Sequence, residues 1–193
     1  MICYLVRHGK DDSTVRGGWS NHPLVAEGEA QARELARFVA ENKDALNIGR
    51  IYTSDLTRAE QTARPIAEVL GLPLTRLSAF REANNGVLAG MDNELAKARY
   101  PGLYWSALNW EEAYPGGESP KEFFERIRTA WEELTQAVKD CDSNTVLVTH
   151  GGVIQVILSL VNGANYTNKD KPRRIPHAEL VAIEYNDGIW TER

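Results

Sequence analysis

The chain opens with Ile2-Cys3-Tyr4-Leu5-Val6-Arg7-His8-Gly9. An apolar run with β-branched and aromatic residues that stops at Arg-His-Gly reads as a buried strand running into a loop. In α/β proteins, reactive groups sit at that carboxyl edge of the sheet. A second run of this kind, Thr145-Val146-Leu147-Val148-Thr149, ends in His150-Gly151-Gly152. Two strand-end histidines, each followed by glycine, can meet over one sheet edge. With arginine beside them, the ligand that suits such an edge is a phosphate.

Outward from these strands, strand and helix patterns alternate. That predicts an α/β three-layer sandwich, a mostly parallel sheet with helices on both faces. A glycine-rich loop, Arg16 to Leu24, precedes a helix starting near Ala26, with Gln31, Leu35, Phe38 and Val39 near helical spacing. Arg50-Ile51-Tyr52-Thr53 reads as a strand. A second helix is expected from Asp55 to Leu70 on the stripe Leu56, Ala59, Ala63, Ile66 and Leu70, with Gly71 and Pro73 as its stop. Leu74 to Leu77 suits a short strand.

The stretch from Ala83 to Gly117 breaks the alternation. It is rich in aromatics and interrupted by proline and glycine, and reads as an irregular, partly helical lid inserted over the carboxyl edge of the sheet. A long helix follows. Ser119 is its N-cap, Pro120 its first residue, and Glu122 completes a capping box. Phe123, Ile127, Trp131, Leu134 and Val138 form its inner face. Val153 to Leu160 is an apolar helix, Ala178 to Tyr185 alternates like a strand, and Asn186-Asp187-Gly188 turns the chain into an edge strand at Ile189-Trp190. That edge could pair with another subunit, and the oligomeric state stays open.

At 193 residues the chain is expected to form one domain, residues 1–193, with residues 83–117 as its insertion. The net charge of −5 and the lack of a basic run argue against nucleic acid as a partner. No segment has the apolar length of a membrane span, and entry straight into a strand leaves no signal peptide, so cytoplasm is expected. Cys3 and Cys141 make no disulfide framework. The four histidines are scattered and no carboxylate cluster has ligand spacing, so neither a metal nor another cofactor is expected.

A third segment carries the functional reading: Ser54-Asp55-Leu56-Thr57-Arg58-Ala59-Glu60-Gln61-Thr62. With Arg7-His8-Gly9 at the start, an acidic residue near mid-chain and His150-Gly151 late, it resembles the histidine phosphatase superfamily, the phosphoglycerate mutase-like proteins. The resemblance covers nearly the whole chain. It implies catalysis through a phosphohistidine, and here a metal-independent, histidine acid phosphatase-like phosphomonoesterase acting on a small-molecule ester.

The chemistry asks for a nucleophile, charge stabilisation on the phosphoryl oxygens and an acid for the leaving group. Neutral imidazole is a competent nucleophile, and His8 is the candidate. Arg7 and Arg58 can present planar forks of donors to phosphate oxygens, and Arg58 falls in the first turn of its helix, where an anion is favoured. His150 would donate from the neighbouring strand end. Gly9, Gly151 and Gly152 would let backbone approach the ligand. Glu82, in Phe80-Arg81-Glu82-Ala83-Asn84-Asn85-Gly86, matches the acidic position of the family. To donate a proton it needs cover from the lid.

The pattern also departs from the family. Lys10-Asp11-Asp12 replaces the Glu-Thr or Glu-Ser that often follows Arg-His-Gly, and the phosphate-binding asparagine expected shortly after is missing. Ser13, Thr14, Ser20 or Asn21 would have to substitute. Ala83, Asn85 and Asn93 stand where the mutases carry arginine, tyrosine and lysine. These losses favour a phosphatase over a phosphoglycerate mutase. A catalytically silent phospholigand-binding protein is the third reading, against which the joint presence of nucleophile and acid argues. The aromatic lid, with Trp105 and Trp110, suggests an ester with a bulky or aromatic organic part.

Overall fold

The computed structural model describes residues 1–170 and 173–193. Six strands form one sheet: β1 (Ile2–Arg7), β2 (Ile48–Thr53), β3 (Leu74–Arg76), β4 (Asn144–Thr149), β5 (Leu180–Asn186) and β6 (Ile189–Glu192). Their spatial order is β3-β2-β4-β1-β5-β6. The first four run parallel; β5 and β6 run antiparallel to their neighbours. The sheet is therefore mixed, parallel where the predicted chemistry lies. The β5–β6 turn uses Asp187 and Gly188, both at positive φ, as a tight two-residue hairpin requires.

Alternation along the central strands divides the core. Cys3, Leu5 and Leu147 face helices α5 (Pro120–Val138) and α6 (Gly151–Val161). Tyr4, Val6, Val146 and Val148 face α1 (Ala26–Glu41) and α3 (Thr57–Leu70). These are the three layers. Short helices α2 (Lys43–Leu46) and α4 (Asn93–Arg99) complete the helical set. The capping box of α5 forms as its sequence dictates, Ser119 and Glu122 each closing on the other's backbone N–H. Phe123, Ile127, Trp131, Leu134 and Val138 are all buried on its inner face.

Several boundaries shift. Helix α3 starts at Thr57, because Leu56 is extended. In α1 the buried stripe is Gly28, Ala32, Leu35, Ala36 and Val39, while Phe38 is exposed: small residues are what allow this helix close to the sheet and loop. The strand expected from Ala178 starts at Leu180, since Ala178 takes a positive φ. Residues between Ala83 and Gly117 are irregular apart from a 3-10 turn and α4. Leu88, Ala96, Leu108 and Tyr114 pack there as a small cluster of their own. Among the described residues no helix is long and apolar enough to cross a membrane.

Candidate active site

Three parallel strands deliver the site. The β1–β4 register pairs Arg7 with Thr149, so His8 and His150 emerge side by side with ring centroids 5.1 Å apart. The His8 amide donates to the Thr149 carbonyl at 2.9 Å. Ser54 follows β2 onto the same edge, its amide donating to the Val148 carbonyl at 2.9 Å. Helix α6 begins at Gly151, which makes His150 its N-cap residue. Arg58 is in the first turn of α3, as predicted.

His8 is set as a neutral base. Its Nδ1 lies 2.7 Å from the Gly9 carbonyl. A carbonyl only accepts, so Nδ1 carries the hydrogen and Nε2 keeps its lone pair. Arg58 Nε donates towards that lone pair at 3.3 Å. Burial first, and then the Arg58 charge, pushes the His8 pKa well below the usual 6.5; the Gly9 carbonyl pulls the other way, and Arg7 and His177 add smaller downward pushes.

His150 is fully buried, and burial followed by Arg58 also lowers its pKa well below 6.5. Its Nε2 is 2.8 Å from Ser54 Oγ. With the Ser54 hydroxyl donating there, the ring hydrogen sits on Nδ1, which has no partner among the described residues. Sequence reasoning did not single out Ser54, although it opens the segment containing Arg58.

The two arginines are held differently. Arg7 Nη1 donates to the Ile175 carbonyl at 2.7 Å, while its buried Nε has no partner among the described residues. Arg58 is 1% exposed. Its Nη1 and Nη2 donate to the Ser20 and Gly18 carbonyls at 2.8 and 2.7 Å. Its Nε lies 3.5 Å from Asp11 Oδ2. Burial works against both charges, yet a guanidinium keeps its proton in proteins.

Glu82 reaches the same place from the loop after β3. Its Oε1 accepts from the Ala83 amide and its Oε2 from the Gly152 amide, both at 3.0 Å. Its carbonyl is pinned by Trp19 Nε1 at 2.7 Å and Arg126 Nη2 at 3.1 Å. Glu82 is half-buried, so the enclosure the sequence reading asked for is only partial.

Other expected residues land elsewhere. Gly9 has no side chain because a Cβ there would lie 2.5 Å from the Gly28 carbonyl of α1; its amide is spent on Thr62 Oγ1 at 2.9 Å. The close packing against α1 accounts for a glycine here. A Cβ on Gly151 would meet the Arg7 side chain at an ordinary 3.5 Å, whereas one on Gly152 would stand 2.3 Å from Glu82 Oε1. Asn21 is exposed and caps α3, its Oδ1 accepting from the Thr57 amide and hydroxyl. Ser20 gives Arg58 its carbonyl, and its buried hydroxyl has no partner among the described residues. Ser13 and Thr14 are exposed, and the Thr14 hydroxyl is turned to Asp12.

His177 also lies within the site: its Nδ1 is 2.9 Å from the His8 carbonyl and the two rings are 5.6 Å apart.

A cavity of about 450 Å³ opens over Arg7, Glu82 and Gly152. Trp105, Tyr114 and Tyr166 supply its aromatic lining, and Arg173 and Arg174 also line it. Trp110 does not. It packs on Phe124 and Tyr166 outside. Glu111 pairs with Lys121, and Glu118 with Arg126. Among the described residues no group of three or more His, Cys, Asp or Glu is placed to hold a metal ion.

Comparison with known proteins identifies the family. The model of the histidine phosphatase superfamily (branch 1) matches residues 3–193, and the chain belongs to that family. It is 32% identical over 192 residues to the Bacillus subtilis protein named "Uncharacterized phosphatase PhoE", covering 98% of this chain and 90% of that one. It is 31% identical to the Enterobacter protein named "Probable phosphoglycerate mutase GpmB", covering 97% and 86%. Among solved structures, a mycobacterial glucosyl-3-phosphoglycerate phosphatase superimposes with a TM-score of 0.81 at 25% identity, over 100% of this chain and 96% of that one. The α-ribazole phosphatase of Shigella flexneri shares the fold, with a TM-score of 0.85 at 24% identity over 100% and 95%. The relatives support a phosphatase-type enzyme of the phosphohistidine family, with small phosphorylated molecules as the substrates their names give.

Proposed function

We propose that this chain is a metal-independent, histidine acid phosphatase-like phosphomonoesterase. Nε2 of His8 attacks phosphorus, the P–O ester bond breaks, and the leaving oxygen takes a proton from Glu82. The Glu82 carboxylate then removes a proton from water as that water attacks the phosphohistidine. Inorganic phosphate leaves and His8 is restored. Arg7 and Arg58 balance the charge on the equatorial oxygens throughout, and neutral His150 donates its Nδ1 hydrogen to one of them.

One observation carries this reading. Arg7 Nε and His150 Nδ1 are buried nitrogens without partners among the described residues. Both belong to side chains grouped around a neutral His8. A buried donor left unpaired is costly unless a ligand satisfies it, and phosphoryl oxygens would satisfy both.

The test is phosphate release in EDTA from a panel of p-nitrophenyl phosphate, sugar phosphates, nucleotides and 3-phosphoglycerate. Release lost in His8→Ala is the expected result. Isomerised 3-phosphoglycerate without release would favour a mutase, a reading kept alive by Arg173 and Arg174 in the cavity wall.

A further inference from the structure

Asp11 stands in an unusual place for an acid in a site built for an anion. Its Oδ2 is 3.5 Å from Arg58 Nε, the same atom that lies 3.3 Å from His8 Nε2. An arginine Nε carries a single hydrogen. It cannot serve the histidine, the carboxylate and a phosphoryl oxygen together. Arg58 gives one hydrogen of each of its other two nitrogens to the Ser20 and Gly18 carbonyls, which holds the guanidinium in place with Nε turned towards His8 and Asp11.

The carboxylate cannot leave by loop movement. Asp11 bridges to Leu24 in antiparallel fashion. The Lys10 amide donates to Gln31 Oε1 at 2.9 Å, and the Lys10 carbonyl accepts from the Val25 amide at 3.0 Å. Gly9 is wedged against Gly28 of α1. Only rotation of the Asp11 side chain is free. The charges felt from the surrounding elements are Arg58 on α3, Arg7 on β1 and His177 before β5. Lys10 beside it pairs with Glu27.

We propose that Asp11 is a built-in competitor of phosphate. It neutralises Arg58 in the empty enzyme, yields the Nε donor to the phosphoryl group, and by like-charge repulsion weakens the hold on inorganic phosphate after hydrolysis. Two negative groups within a few ångströms of one another in a partly buried site repel strongly, so the product leaves more readily than the two arginines and His150 alone would allow. The inference rests on the phosphatase reading and adds to it a determinant of product release.

The experiment compares inorganic phosphate binding by calorimetry, and product inhibition, in the wild type, Asp11→Asn and Asp11→Ser. Both variants remove the charge, with and without a side chain of similar shape. Phosphate should bind each at least about tenfold more tightly than it binds the wild type. The rise in Tm on adding phosphate should be larger in both, which separates relief of repulsion from simple loss of structure. Unchanged or weaker phosphate binding in the two variants, while the wild type still hydrolyses esters, overturns the inference alone. No phosphate binding by any of the three, with no hydrolysis, overturns the phosphatase reading with it.

Discussion

The Gly152 amide donates to Glu82 Oε2 at 3.0 Å, and a Cβ on Gly152 would stand 2.3 Å from Oε1 of the same carboxylate. The glycine at the start of α6 therefore fixes where the candidate acid lies. Gly152→Ala should displace Glu82 and lower kcat by about 100-fold, the usual cost of a misplacement near one ångström. Gly151→Ala, which meets Arg7 at ordinary contact distance, should cost far less. Steady-state kinetics on the two variants with p-nitrophenyl phosphate check this.

The loop carrying Glu82 is held by one side chain of α5. Arg126 donates to the carbonyls of Ala79, Arg81 and Glu82 and makes a two-point pair with Glu118. Arg126→Lys keeps the charge but not the planar fork. It should lower kcat by roughly tenfold or more while moving KM much less, because the arginine touches the acid's main chain and not the phosphate group. Equal losses in kcat and KM would point to disruption of the cavity instead.

His8 and His150 should make the fold acid-sensitive. Burial, then Arg58, lowers the pKa of His8 and of His150 below the usual 6.5. As pH falls below 6.5, the unfolded chain takes up these protons before the folded one does. Stability is therefore full above that value and declines as pH falls towards the lowered folded values, by up to about 1.4 kcal/mol per pH unit for each ring. Urea unfolding at pH 7 and pH 5 should show the decline, and His150→Asn should flatten it. The same shift keeps the His8 lone pair available to lower pH than in a free imidazole, so phosphoenzyme formation should persist below pH 6.5.

Selectivity should follow the aromatic residues that line the cavity. Trp105 stacks on Tyr114 at 5.9 Å and meets Phe123 edge-on at 5.5 Å, so it is both lid core and cavity wall. Trp105→Ala or Tyr166→Ala should reduce the preference for aromatic over sugar phosphates. Trp110→Ala should leave it unchanged. A panel of kcat/KM ratios decides between them, and a shift with Trp110 alone would rule out this assignment of the wall.

Most of the fold was legible because its signals are local. Continuous apolar, β-branched runs marked β1 and β4, the Ser119–Glu122 box marked the start of α5, and Asn186-Asp187-Gly188 marked the hairpin. What was not legible depends on partners distant in sequence. Gly9 is explained only by Gly28 crossing it, Asn21 only by the open end of α3, and Phe38 only by the small residues that turn α1 on its other side. The site shows the same division. Arg7, His8, Arg58 and His150 were visible through strand ends and a helix start. Ser54, His177, Arg173 and Arg174 join them through tertiary contact. Only the first of these lay inside a recognised segment.

The most direct test of the central claim is a rapid base-quenched reaction in EDTA, followed by intact and peptide mass spectrometry. The account predicts a transient enzyme species carrying one phosphoryl group, stable to base and labile to acid, mapped to His8 and absent from His8→Ala together with turnover. Hydrolysis that continues in His8→Ala, or a phosphoryl group found on any other residue, would contradict it.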